Sequence, residues 1–276
     1  MSLAEDRAQV FAANRAVGRV ALAAEYGRGI THRTRLSEAG GLRVHFPGAR
    51  ARELQAVLIN TAGGIAGGDS FDLDIAAGAQ AQLLLTSAAA EKIYRTLGPL
   101  ARIRIKLSAG AGASLAWLPQ ETILFDGARI ERTIDVDLAA DARLVFAEAV
   151  VFGRTGMGEA VKNGFFADRW RVRRGGALVL AETVRLDGAV AAKLDEAAVA
   201  KGGAGIATVL IVPGSVETIE PLRALASKFR GEVGTSTWNG LAVARLCAGD
   251  GAALRHDLTA LLASVRGGKL PHCWFH

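Results

Sequence analysis

Alternation of apolar and polar residues dominates the middle of the chain. In residues 71–75 apolar side chains alternate with Asp72 and Asp74, and in residues 102–107 they alternate with three basic residues. A period of two is typical of strands that bury one face and expose the other to water. About ten short segments of this kind, separated by turn sequences such as Asp126-Gly127, predict an all-β body. Their even spacing suits a stacked, solenoid-like sheet as well as a sandwich.

The pattern changes near residue 204. Strands are predicted at 208–213 and 241–246, and each is followed by apolar residues at helical spacing, at 219–229 and 254–265. The last quarter of the chain therefore predicts the order strand, helix, strand, helix.

These patterns predict a single, mainly β domain. Residues 31–203 form a β-helix-like or stacked-sheet body, and residues 204–276 form a smaller αβ part packed on it. Residues 1–28 are rich in alanine and weakly patterned, so we expect an N-terminal tail there.

Four glycines mark the tightest turn of the chain. Gly63, Gly64, Gly67 and Gly68 are followed by Asp69 and then by a predicted strand. A P-loop needs Lys followed by Ser or Thr at the start of a helix, and the dinucleotide fingerprint has a different glycine spacing. The sequence therefore favours a structural connection between two strands over a phosphate-binding loop.

Composition narrows the class of protein. The chain has 276 residues, of which 50% are hydrophobic and 22% charged, and no apolar run approaches the ~20 residues that span a bilayer. Charged residues interrupt the first 19 positions, so no secretory signal is predicted. Only two cysteines occur, which argues against a disulfide framework and indicates a cytoplasmic protein.

The charge balance indicates an acidic partner. The formal net charge is +6, but the basic residues are scattered, and the densest group, at 169–174, alternates as a solvent-facing strand does. No pattern typical of RNA or DNA recognition accompanies it, so nucleic acid and membrane are not expected partners.

Three acids stand out as candidate functional residues: Glu121, Glu148 and Glu159. Glu148 lies inside an apolar segment, where an unpaired carboxylate would be prohibitively costly to desolvate. Arg154 is the nearest basic residue in sequence, so we expect it to pair with Glu148. Two such acids can form a glycosidase-like acid/base pair if their side chains face one groove.

Metal chemistry has weak support in the sequence. The histidines of the body show no ligand spacing, whereas His272, Cys273 and His276 place three possible ligands within the last five residues. At the end of a chain, these residues predict at most a loose nickel or zinc site. No catalytic constellation emerges, and the residues favour a binding or scaffolding role.

The motifs, in order and spacing, resemble those of the UreD (UreH) family of urease accessory proteins. The match is specific because several short motifs recur in one order over roughly residues 31–186. Two departures occur, at Glu91, where the family more often has a small hydroxyl residue, and at His272-Cys273-Trp274, where Pro-Arg-x-Trp is usual. The matching segments are Gly63-Gly64-Ile65-Ala66-Gly67-Gly68-Asp69, Lys92-Ile93-Tyr94-Arg95, Trp117-Leu118-Pro119-Gln120-Glu121, Glu148, Gly153-Arg154 and Gly158-Glu159.

The resemblance implies a non-catalytic scaffold for assembly of the urease nickel centre. Such a protein joins a UreF-type protein, a UreG-type GTPase and the urease apoprotein, works in a homo- or hetero-oligomeric complex, and keeps no permanent cofactor while nickel passes in transit. A nickel path favours weak oxygen ligands over tight histidine or cysteine sites. We therefore expect Asp69 and Glu148 to line a polar passage, with Arg154 and Tyr94 shaping it.

Two other function classes remain open on the residues alone. A β-solenoid hydrolase would use two of Asp69, Glu148 and Glu159 as its carboxylate pair, in a groove. A generic β-rich binding module would have no connection with urease.

Overall fold

The computed structural model describes residues 15–48, 51–266 and 269–275 and has a mainly β fold. The strands are β1 (Val17–Gly27), β2 (Ile30–Gly40), β3 (Leu42–His45), β4 (Glu53–Asn60), β5 (Ser70–Ala77), β6 (Gln82–Ser87), β7 (Glu91–Ile93), β8 (Ala101–Ala109), β9 (Ser114–Leu118), β10 (Thr122–Leu124), β11 (Arg129–Leu138), β12 (Arg143–Phe152), β13 (Asn163–Arg174), β14 (Ala177–Ala189), β15 (Gly205–Val212), β16 (Glu232–Trp238) and β17 (Leu241–Ala248). The α-helices are α1 (Val190–Asp195), α2 (Val216–Arg223) and α3 (Gly251–Arg266), and 3-10 turns lie at Thr155–Met157, Ala226–Lys228 and His272–Phe275.

The strands form two facing sheets. Sheet A has the order β14-β13-β11-β8-β5-β1-β2, and sheet B has β16-β17-β15-β12-β9-β6-β4-β3, with β10 paired to β12 and β7 paired to β10. Apart from the short strands β7 and β10, the chain alternates between the sheets from β4 to β13, and each new strand lies parallel to the previous one in its sheet. This arrangement confirms the predicted β-helix-like stack, because each coil adds a strand to both sheets.

The alternating patterns place the core between the sheets. In β11, Ile130, Ile134 and Val136 point inward and are buried, whereas Glu131 and Asp135 on the opposite face are partly exposed. Strands that bury one face in this way are stabilised mainly by removal of apolar surface from water.

The outward face of sheet A carries alternating charges across neighbouring strands. Arg104 binds Asp72 at 2.6 Å, while Glu131 lies 3.2 Å from Arg169 and 3.9 Å from Arg102. We call these five residues the outer-face ladder. The basic residues of β8 therefore form the solvent side of a sheet, as predicted.

The predicted N-terminal tail is wrong for residues 17–27. These residues form β1, which pairs in parallel with β5 and antiparallel with β2. Its inward residues Val20, Leu22 and Ala24 are each at most 2% exposed. The small alanines weakened the pattern, but the period of two was present.

The last quarter extends sheet B and covers its outer face. β15, β17 and β16 extend the sheet beyond β12, each antiparallel to its neighbour, so one more strand is present than the sequence predicted. The missed strand, β16, is half-exposed and polar, VGTST at its centre, so its apolar signal was weak. Helix α3 packs on the sheet through its buried apolar stripe, which comprises Leu254, Leu258, Leu261 and Leu262.

In the part of the chain that the structure describes, no α-helix is long and apolar enough to cross a membrane.

Candidate functional site

A cavity of about 400 Å³ lies between the two sheets. Apolar residues of both sheets, including Leu58, Phe71 and Ile105, form most of its wall. Exposed residues at one end, among them Ala88 and Ala89, mark its mouth. The polar and charged lining residues are Asn60, Ser87, Glu91, Lys92, Gln120, Thr122, Arg132 and Glu148.

Three charged side chains, Arg132, Glu148 and Asp168, bridge the sheets at the inner end of the cavity. Asp168 accepts from Arg132 Nε at 3.0 Å and from Nη2 at 2.5 Å, and Arg132 Nη1 lies 2.6 Å from Glu148 Oε2. All three side chains are at most 6% exposed. We call them the buried triad; Arg132 and Asp168 come from sheet A, and Glu148 comes from sheet B.

Glu148 is the surplus charge of the buried triad. Asp168 holds Arg132 with two hydrogen bonds and neutralises it, so an ionised Glu148 leaves the group with one net negative charge. Trp117 Nε1 donates to Glu148 Oε1 at 2.7 Å, whereas Oε2 has no donor in good hydrogen-bond geometry among the described residues. Burial raises the pKa of Glu148 although Arg132 opposes this shift.

The sequence-based pairing of Glu148 with Arg154 is wrong. Arg154 Nε instead binds Glu159 Oε2 at 2.5 Å in a partly exposed loop. Proximity in sequence misled here, because the inward-facing Glu148 is closest to groups on the facing sheet. Arg132 and Asp168, which the sequence analysis missed, are the partners that make burial of Glu148 tolerable.

A second carboxylate, Glu91, lies nearer the mouth. Asn60 Nδ2 donates to its two oxygens at 3.0 and 3.1 Å. Burial raises the pKa of Glu91 from 4.5 to about 7, and the Asn60 hydrogen bond only partly offsets this rise. Glu91 pairs in register with Thr122, whose hydroxyl accepts from Arg132 at 3.4 Å. Glu91 and the buried triad thus lie within one polar strip of the cavity.

Asp69 has a different environment from the one expected. Its carboxylate accepts from the backbone N–H groups of Ala16 at 2.9 Å and Ala66 at 2.7 Å, and it lies outside the cavity wall. Asp69 therefore fixes the glycine-rich loop to the start of β1.

The loop that follows β7 packs directly on the backbone of the glycine-rich loop. Gly64 has φ +147°, and a Cβ there would meet the ring of Tyr94. A Cβ at Gly67 would meet Thr96 and the carbonyl of Pro99. Tyr94 donates its hydroxyl to the carbonyl of Gly63 at 2.9 Å. The glycines are thus required by close backbone approach, which agrees with the structural interpretation of this loop.

Tyr94 and Arg154 meet outside the cavity through a shared aromatic ring. The Tyr94 ring stands edge-on to Phe125 with centroids 5.2 Å apart, and the Arg154 guanidinium lies 4.3 Å from the Phe125 centroid. Glu159 joins this cluster through Arg154. These three predicted site residues therefore lie together, on the loops beside the mouth.

Glu121 belongs to a third location, at the C-terminal segment. Arg255 binds Glu121 at 2.9 Å and also donates to the carbonyls of Cys273 and Trp274. The Trp274 ring is buried and donates to Thr86 at 3.2 Å. This segment is therefore packed against the body rather than frayed.

The described residues add no ligands to the loose metal site that the sequence predicts at the C-terminus. His272 is exposed, Cys273 is half-buried, and His276 lies outside the described residues. Across the described ranges, no group of three or more His, Cys, Asp and Glu side chains could hold a metal ion.

A signal for the missed residues was present in the sequence. Arg132 and Asp168 occupy positions in β11 and β13 whose neighbours two residues away are buried and mostly apolar. A charge at an inward position of a period-two strand needs an opposite charge nearby in the core. Glu91 was noticed only as a departure from the resembled family.

Comparisons with known proteins agree with the motif pattern. The family model described as UreD urease accessory protein matches residues 15–274. The chain belongs to the UreD family of urease accessory proteins. A protein named urease accessory protein UreD from Rhodopseudomonas palustris (strain BisA53) is 56% identical over 267 residues, covering 97% of this chain and 93% of the relative. The UreD of Bradyrhizobium diazoefficiens is 54% identical over 267 residues, covering 97% and 96%.

UreD membership confirms the resemblance drawn from the motifs and gives the chain a role in urease maturation. The match extends over the described strands of both sheets, so the cavity and its polar strip lie within the UreD region.

Proposed function

We propose that this UreD-family chain is a non-catalytic scaffold that delivers nickel to urease through the cavity between its sheets. The outer surfaces of the chain would bind a UreF-type protein, a UreG-type GTPase and the urease apoprotein. The observation that carries the proposal is the polar strip from Glu91 to Glu148, inside a cavity whose wall includes both exposed and buried residues.

The donor set of the strip suits an ion in transit. Its described lining residues include carboxylates, amides and hydroxyls but no histidine or cysteine. Oxygen donors hold a borderline transition metal less tightly than imidazole or thiolate, so an ion can leave as readily as it enters. The surplus carboxylate of Glu148 supplies attraction at the inner end, because Asp168 already neutralises Arg132.

The hydrolase alternative has less support. Glu148 is buried in a triad, Glu159 is bound to Arg154 on a loop, and Asp69 is used by backbone N–H groups. A glycosidase mechanism needs two carboxyl groups facing the same bond in one groove. These three acids lie in separate environments, which favours the scaffold.

Reconstitution tests the proposal directly. The chain is co-expressed with its UreF-type and UreG-type partners and urease apoprotein, captured by a tag, and assayed for urease activity after addition of nickel and bicarbonate. We expect one complex, and activation that depends on this chain. Glu148→Gln should retain the complex and reduce activation about tenfold, because it removes the surplus charge at the inner end while keeping an acceptor for Trp117.

The control is Glu131→Gln, the same change on the outer-face ladder, which should leave activation unchanged. Equal activation by wild type and Glu148→Gln would contradict nickel passage along the strip. A chain that captures no partner and is dispensable for activation would contradict the scaffold itself.

A further inference from the structure

Three large apolar side chains are exposed on the loops beside the cavity mouth. Leu97 is 93% exposed, Met157 is 75% exposed and Tyr94 is 36% exposed. Two of them are linked by contacts: Tyr94 contacts Phe125, Phe125 contacts Arg154, and Arg154 Nη1 lies 3.9 Å from Met157 Sδ. Leu97 follows Thr96, whose N–H donates to the carbonyl of Gly127 in the turn after Phe125. We call Tyr94, Leu97 and Met157 the apolar loop face. Exposed apolar groups gathered on one surface are typical of protein contact sites.

The loop that presents Leu97 is anchored at both ends. The Tyr94 N–H donates to Ile65 at 2.8 Å, and the Thr96 N–H donates to Gly127 at 3.1 Å. At the far end, the Gly68 N–H donates to Leu100 at 3.1 Å. Leu97 is thus held out in water by an ordered backbone, so little conformational entropy would be lost when it binds.

The charges around this surface are mainly basic. Lys92 and Arg95 are exposed, and neither makes an ion pair among the described residues. The nearby acid Asp126 is half-buried and accepts from the backbone N–H groups of Lys162 and Asn163. The other nearby acid, Glu159, is held by Arg154. The cations therefore remain available to a partner.

We propose that the apolar loop face is a docking site for a protein partner that presents an apolar pocket with carboxylates at its rim. Leu97 enters the pocket, Met157 and Tyr94 cover its edge, and Lys92 and Arg95 meet the acidic rim. An apolar centre with a charged rim is the common organisation of protein interfaces, and methionine and tyrosine are enriched there.

The docking site adjoins the mouth of the cavity. Lys92 and Gly63 line the cavity, and the carbonyl of Gly63 accepts a hydrogen bond from the hydroxyl of Tyr94. A partner seated on the apolar loop face would therefore lie next to the cavity wall. This inference rests on the proposed scaffold function, because it assigns a surface to one of the proposed partners.

Single substitutions in the full-length chain test the inference. Binding of the UreF-type protein, the UreG-type GTPase and urease apoprotein is measured separately, and for the assembled complex, by surface capture. Leu97→Asp should weaken binding of one of these probes at least about tenfold, whereas Leu97→Met should retain it. Leu178→Asp is the matched control, because Leu178 is also exposed, at 54%, but lies on β14.

The possible results separate the two proposals. Thermal unfolding should be unchanged in Leu97→Asp, since the side chain is in water. If wild type and Leu97→Asp bind every probe equally, the docking site is wrong and the scaffold stands. If wild type binds no probe, both are wrong. If only Leu97→Asp loses self-association, the occupant is a second copy of the chain and not an acidic-rimmed partner. If only Leu97→Asp loses binding to phosphatidylserine vesicles, the occupant is a lipid surface.

Discussion

Two sets of ion pairs on opposite faces of sheet A differ in what they contribute. The outer-face ladder places Arg104 against Asp72, with side chains that are 54% and 30% exposed. The buried triad places Arg132 against Glu148 and Asp168, with side chains at most 6% exposed. Water screens the first set, whereas the second set must compensate for a large loss of hydration.

The face of the strand on which a side chain lies decides whether its ion pair is exposed or buried. Glu131 and Arg132 are consecutive in β11, so their side chains point to opposite faces of sheet A. One meets water and the other meets sheet B. The same residue types are therefore surface groups on one face of the sheet and buried groups on the other, and substitutions can separate the two positions.

The largest effect is expected for Arg132→Met. This change leaves Glu148 and Asp168 buried without their cation, so we expect a loss of about 3–5 kcal/mol in the free energy of unfolding. Burial alone lowers the pKa of Arg132, but Asp168 and Glu148 outweigh it and raise this pKa, which shows how strongly the acids favour the charged form. Urea denaturation at pH 8 measures the loss. A loss of less than about 1 kcal/mol in the free energy of unfolding would show that the buried triad contributes no more than a surface ion pair.

A combined variant sharpens this prediction. Arg132→Met with Glu148→Gln and Asp168→Asn removes all three charges together. We expect it to be about 1–3 kcal/mol more stable than Arg132→Met alone, because no uncompensated charge remains buried. The same denaturation experiment applies, and a combined loss equal to or larger than the single loss would show that packing, not charge, dominates.

The next effect concerns pH and Glu91. Its pKa is about 7 in the folded chain against 4.5 for the free side chain, so the folded state binds the proton more tightly. The contribution of Glu91 to stability is therefore greatest below pH 4.5 and is lost as pH rises through 7. Glu91→Gln removes this loss, and its stability relative to wild type should rise by about 2 kcal/mol between pH 4.5 and pH 8. Glu91 is partly exposed, which keeps the value below the full shift.

Denaturation curves across this pH range provide the measurement. The matched control is Glu131→Gln on the outer-face ladder. If the two variants show the same pH dependence relative to wild type, the cavity does not perturb Glu91, and the polar strip has no special electrostatics.

Much of the fold could be predicted because each strand shows its own alternation of apolar and polar residues, and because each turn has residues typical of turns. The stacked β body and the two longer C-terminal helices follow from such local signals. β1 and β16 were missed because their less exposed positions include small or polar residues, such as Ala24 and Thr235, whose burial signal is weak.

The site was harder to predict because it depends on contacts between distant strands. The identity of Glu148 as a buried acid was visible, but its partner Arg132 is 16 positions earlier and on the other sheet. The alternation of apolar and polar residues indicates that both side chains face inward. Which inward side chains meet depends on the registers of the parallel strands, which this alternation does not give. Asp69 was misplaced for the same reason, since its partner Ala16 directly precedes β1, in a segment that was predicted as a tail.

The smallest effect is expected for Arg104→Ala, and it completes the comparison. Its Asp72 partner accepts at 2.6 and 3.0 Å, a geometry as good as that of the buried triad. Distance alone would therefore predict an equally large loss. Because both side chains are partly in water, we expect a loss of at most about 1 kcal/mol, and a smaller loss at high salt. Urea denaturation at low and high ionic strength tests this, with Arg132→Met measured alongside. A salt-independent loss of the size seen for Arg132→Met would show that hydrogen-bond geometry, rather than exposure, determines the contribution of these pairs.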